Sequence, residues 1–127
     1  MVLAWPPAWS GPRFAAYAPA IAGLAALPRW PTVPELDRTL AAGLRAASVR
    51  LVEQDATTAP YELAIADAGC VPTRAGNAHD LWNAIVWATF PRATRTLTAR
   101  LADYQRGRYA AGARRPTTGW RCSTRAG

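Results

Sequence analysis

The sequence predicts a single small domain of the α+β class, mainly α-helical. A chain of 127 residues, half of them hydrophobic, can bury one modest core and not two. Leucines at 36, 40 and 44 recur at helical spacing, and residues 81–90 are apolar at nearly every position. Against these, one stretch, Ser48 to Glu53, alternates in the manner of a half-buried strand.

The elements follow in order. Trp5, Pro6, Pro7, Trp9 and Pro12 make the first twelve residues an extended arm that packs through its indoles, because proline fixes φ and removes a donor. Residues 14–27 form an apolar stretch interrupted by Pro19. A signal peptide needs a basic region ahead of its apolar segment; only Arg13 precedes this one, so it reads as a packed helix ended by Trp30-Pro31. Thr32 opens the next helix, with Pro34 in its first turn and Glu35 at capping-box spacing. Leu36, Leu40 and Leu44, with Ala41 and Ala47 beside them, form its inner stripe, while Arg38 and Arg45 project elsewhere. After the strand, residues 55–60 are a loop and Tyr61 to Asp67 a short helix ended by Gly69. Cys70 to Asn77, with Pro72 and Gly76, reads as an irregular connection. Asn77, with Asp80 three residues on, caps the apolar helix that runs from Leu81 to Phe90. Pro91 breaks that helix and starts another, about Arg92 to Tyr109, with Leu97 and Leu101 on its inner face. Past Ala110 there is no apolar periodicity. The domain is therefore expected over 1–110, with a basic tail over 111–127. There is no internal repeat, and no apolar run reaches the ~18 residues of a membrane span.

The net charge of +7 points first to a nucleic-acid partner. Its distribution weakens that reading. All fifteen basic residues are arginine, and 29 residues are alanine, a bias that GC-rich codons produce without any functional cause. Residues 1–90 carry a net charge of −1; the six arginines after Gln105 face no acid at all. An Arg-rich nucleic-acid-binding module over residues 92–125 is kept as an alternative, ranked low, to be tested by a steep loss of binding with salt.

The polar residues that could carry chemistry converge on the start of the apolar helix. His79, the single histidine, adjoins Asp80; Asn83 follows at helical spacing; Arg74 lies in the preceding connection; Glu62 is the nearest earlier acid. In the functional reading, His79 is a general acid or base oriented by Asp80, and Arg74, Asn77, Asn83 and Glu62 bind substrate, Arg74 through an anionic group. In the structural reading the same residues cap the helix and tie the loop down, since an unpaired buried polar group costs about 1–3 kcal/mol. No metal is expected: one histidine and two cysteines do not make a ligand set. Neither a phosphate-cradling glycine loop nor a nucleophile elbow is present. Trp82 and Trp87 read as core packing rather than base-stacking groups, and Cys70 as a small buried hydrophobe rather than a nucleophile.

Residues 61–92 carry a denser pattern: Tyr61-Glu62, Ile65, Gly69, Val71-Pro72-Thr73-Arg74, Asn77, His79-Asp80, Asn83-Ala84, Val86-Trp87 and Phe90-Pro91-Arg92. This resembles the signature of the bacterial domain of unknown function 3025 family, densely over about 30 residues and more loosely back to Val49. The resemblance implies no established activity. It marks Arg74, Asn77, His79, Asp80 and Asn83 as the family's characteristic polar residues. It also shows departures: Ala78 and Trp82 stand where the family has Trp and Phe, and Thr94 and Thr98 where it has Lys and Asn.

Family members continue into a further C-terminal half, so the resemblance implies that this chain is an incomplete, N-terminal part of a larger fold. Residues 119–126, written in GC-rich codons and read in another frame, give Leu-Ala-Leu-Phe-Asp-Glu-Gly, close to the family's next segment. The tail is accordingly expected to be a frameshift product, and a non-functional truncated copy is a further alternative. Loss of that half would expose the helix over 81–90 and favour poor solubility and self-association through it. The remaining expectations are a cytoplasmic location, no cofactor and no membrane partner.

Overall fold

The computed structural model describes residues 4–9, 11–54 and 61–110, the last two without their side chains. The tail expected over 111–127, and the loop expected over 55–60, lie outside the described residues. A 3₁₀ turn, Pro12–Tyr17, leads into α1 (Ala18–Ala25), α2 (Val33–Thr39), α3 (Ala41–Ala46), β1 (Arg50–Glu53), α4 (Tyr61–Ala68), β2 (Cys70–Thr73), α5 (Ala78–Thr89) and α6 (Pro91–Ala110). Helices dominate and the sheet is a two-stranded parallel ladder, as the α+β reading requires.

The helix predicted from Thr32 is present, and its capping box closes in both directions: Glu35 N–H donates to Thr32 Oγ1 at 3.2 Å and Thr32 N–H to Glu35 Oε1 at 3.1 Å. The leucine stripe is buried, at 4% exposure or less for Leu36, Leu40 and Leu44. The helix is nevertheless two pieces, turning at Leu40, where φ and ψ leave the helical region. The turn lets α3 close on α5: a Cβ at Gly43 would sit 2.0 Å from the Ala88 carbonyl oxygen, so only glycine permits this approach.

The strand begins at Arg50 rather than Ser48, because Ser48 adopts a left-handed conformation with φ 58°. Its partner corrects the sequence reading. The connection expected from Cys70 contains β2, paired in parallel with β1 in the register Arg50 with Cys70 through Glu53 with Thr73. All four β2 residues are buried, so no alternation marks the strand, and Pro72 imitates a loop signal. Cys70 itself is fully buried and disulfide-bonded, so it offers no thiol nucleophile. Gly69 turns the chain from α4 into β2 at φ 67°, where a Cβ would press on the Ser48 carbonyl oxygen at 2.9 Å.

The apolar helix, α5, is not the exposed patch that the sequence suggests. Leu81, Ala84, Ile85 and Trp87 are at most 3% exposed, and Trp82 and Ala88 pack half-buried on the core. Its outer side is covered from the N-terminal segment: Tyr17 lies 4.7 Å and Phe14 6.0 Å from Trp82, ring centre to ring centre. The Trp-rich arm packs as expected, Trp5 against Trp30 and Trp9, with its indole N–H donating to the Leu27 carbonyl at 2.9 Å.

A second correction concerns α6. Leu97 and Leu101 point outward, at 59% and 42% exposure. The inward face is Thr98 and Ala102, with Thr94 and Gln105 half-buried beside them. Arg95 reaches from this helix to the Ala47 carbonyl at 2.6 Å and helps hold it on α3.

Candidate functional site

The β1–α4–β2 ladder delivers the chain into a short loop, and α5 starts immediately after it. Asn77 caps α5 by accepting from the Asp80 N–H at 3.0 Å. This single turn fixes the Asp80 carboxylate, 11% exposed, under the loop. Arg74 then donates to it three times: from its backbone N–H at 2.9 Å, from Nε at 2.9 Å, and from Nη2 at 3.2 Å. His79 Nδ1 lies 3.1 Å from Oδ1, the oxygen that Arg74 Nη2 also reaches.

Burial pushes the Asp80 carboxyl up. The hydrogen bonds from the Arg74 side chain, from His79 and from the Arg74 backbone outweigh it, so the carboxyl sits below its ordinary value and is ionised at neutral pH. An ionised carboxylate only accepts. The bond to His79 therefore requires a proton on Nδ1, which in the neutral ring leaves Nε2 as the basic nitrogen. The imidazole is 83% and the Arg74 side chain 54% exposed, so both present their unused faces to solvent. Trp30, Pro31, Leu36, Arg74, Asn77 and Leu81 line a shallow dent of about 10 Å³, which His79 and Asp80 do not line.

Four of the six predicted site residues, Arg74, Asn77, His79 and Asp80, thus come together. Asn83 lies one turn along α5 in a second cluster. Its amide donates to the Tyr61 hydroxyl, and the Trp87 indole N–H donates to the same oxygen at 3.3 Å. Burial raises the Tyr61 phenol above its ordinary value, the bonds from Trp87 and Asn83 oppose this, and the Asp80 and Glu62 carboxylates add to it. Asp80 and Tyr61 are therefore electrostatic neighbours, and the positions 80, 83 and 87 form one polar line down α5. Tyr61 belongs to the pattern over 61–92 but is not among the predicted site residues, because its partners follow 22 and 26 residues later. Glu62 is turned elsewhere: its Oε2 accepts from Gln105 Nε2 on α6 at 2.7 Å.

Thr94 and Thr98, where the resemblance leads one to expect Lys and Asn, fall on α6. Thr94 donates its hydroxyl to the Phe90 carbonyl at 2.8 Å, and Thr98 is buried. Among the described residues no three His, Cys, Asp or Glu side chains cluster as a metal would need, and no helix is long and apolar enough to cross a membrane.

Residues 49–121, more than half of the chain, match the model of a family described as "Protein of unknown function (DUF3025)". No curated protein and no solved structure matches the chain.

Proposed function

This chain belongs to the DUF3025 family of proteins of unknown function, and we propose that its functional centre is the Arg74–His79–Asp80 corner, a site for a small anionic ligand at which His79 exchanges a proton. The observation that carries this reading is the double use of one carboxylate: Asp80 holds a guanidinium and an imidazole side by side, both open to solvent. Arg74 spends Nε and Nη2 on Asp80 and keeps its remaining donors for an incoming oxyanion. The start of α5 adds the partial positive charge of a helix N-terminus. Asp80 sets the tautomer of His79, so that Nε2 can take a proton from, or when protonated give one to, a group held at Arg74. Asn77 positions Asp80, and Asn83 with Tyr61 continues the polar line away from the corner.

A chain with one histidine allows a direct test. Inorganic phosphate titrated into the protein should shift the NMR signals of the His79 ring saturably, and Arg74→Gln should abolish saturation while the melting temperature changes little. A linear, unsaturable shift, or one unchanged in Arg74→Gln, would leave the corner as a helix cap and no more.

A further inference from the structure

The outward side of α6 carries Leu97, Leu101 and Tyr104, at 59%, 42% and 67% exposure, and the residue just before the helix, Phe90, continues their line at 42% exposure while its ring packs edge-on against Tyr17 at 5.6 Å. Their intervals are seven, four and three residues. At 100° per residue they fall within an arc of about 60° and extend along about 21 Å of helix. That is the narrow seam of a helix pair, narrower than the face by which a helix normally packs on a core. The other side of α6 is already occupied by α4 and α5, through Thr98, Ala102 and Gln105, and by α3, through Arg95.

Charge selects the occupant. Of the arginines on α6, Arg95 is committed to the Ala47 carbonyl, and Arg106 to Asp67 and Asp103. Arg100 flanks the seam and Arg108 ends it one turn past Tyr104, and among the described residues no carboxylate pairs with either. The one acid on the helix, Asp103, is engaged by Arg106. A second copy would bring like charges together along this seam, and residues 111–127 add four more arginines and no acid. We infer that this face docks an acidic amphipathic helix of a partner protein, its apolar residues meeting Phe90, Leu97, Leu101 and Tyr104 and its carboxylates meeting Arg100 and Arg108. A bilayer is the less favoured occupant, since interfacial helices bury a broad apolar face rather than a seam one side chain wide.

The test uses the full chain and a designed helical peptide with leucine at each a and d position and glutamate flanking them. A lysine-flanked peptide of the same leucine pattern and vesicles of phosphatidylglycerol and phosphatidylcholine serve as comparisons. The glutamate peptide should bind saturably and more weakly at high salt, and Leu101→Ser and Arg100→Glu should each weaken it by about tenfold. Both positions are exposed, so circular dichroism melts of the two variants should match the parent. Equal binding of the lysine peptide, binding to vesicles alone, self-association that Leu101→Ser abolishes, or no binding at all would each overturn the inference.

Discussion

Asp37 and Asp80 hold the chain in two places by the same chemistry. Asp37 accepts from both terminal nitrogens of Arg45 and from the Leu51 backbone N–H at 2.8 Å. Asp80 accepts two side-chain bonds from Arg74 and one from the Arg74 backbone. Both are charge-assisted forks on a mostly covered carboxylate. They differ in what they join. The Asp37 fork ties α2 to β1 across 14 residues, and Arg45 also spends Nη1 on the Val49 carbonyl at 2.8 Å. The Asp80 fork spans six residues of one loop and adds an exposed histidine. An aspartate–arginine pair is therefore no sign of a site here. What sets the Asp80 fork apart is His79, 83% exposed, whose one hydrogen-bond partner among the described residues is Asp80.

The largest expected effect strikes the frame that both forks brace. Gly43→Ala drives a methyl into the Ala88 backbone and should cost about 3 kcal/mol in a denaturant melt. A loss below about 1 kcal/mol would mean that α3 can slide on α5 and that the turn at Leu40 is not enforced.

The forks themselves should separate. Asp37→Ala removes a long-range tie and strands the Leu51 N–H, for about 2–3 kcal/mol; Asp80→Ala frees one loop, for about 1–2 kcal/mol. If Asp80→Ala costs the more, the corner is a principal brace of the fold and the comparison reverses.

Acid should loosen the Asp80 corner and the α2 cap together. Glu35 is held at about 2, against an ordinary 4.5, first by the Thr32 backbone N–H and then by Arg29. Asp80 also lies below its ordinary 3.8. Stabilisation from a depressed carboxyl is complete above its unfolded value and is lost as pH falls through its folded value. The melting temperature should therefore drop as pH is lowered from 4.5 towards 2, and Glu35→Gln should flatten that slope. An unchanged slope in Glu35→Gln would show that the capping box does not control acid stability.

The smallest effect on stability is the most informative about function. His79→Ala should stay within about 0.5 kcal/mol of the parent, as exposed substitutions do, while weakening phosphate binding at Arg74. A large loss of stability would return His79 to the role that Asp37 and Asp80 share.

Much of this was legible in the chain because it is local. The Thr32–Glu35 box and the Asn77 cap close within three residues, the leucine stripe repeats within one helix, and the Arg74–Asp80 corner spans one loop and one turn. In each case the spacing alone brings the partners together. The tertiary structure decided the rest. β2 became a strand by pairing with β1 some twenty residues earlier, its fully buried residues leaving no alternation to read. Leu97 and Leu101 were turned outward because Thr98, Ala102 and Gln105 meet α4 and α5, where small or hydrogen-bonded side chains fit the approach. Asn83 found Tyr61, and α5 found its cover in Phe14 and Tyr17, through contacts that no helical period encodes. Spacing fixes which residues share a turn; only the packing of one element on another fixes which face is buried and which polar groups meet.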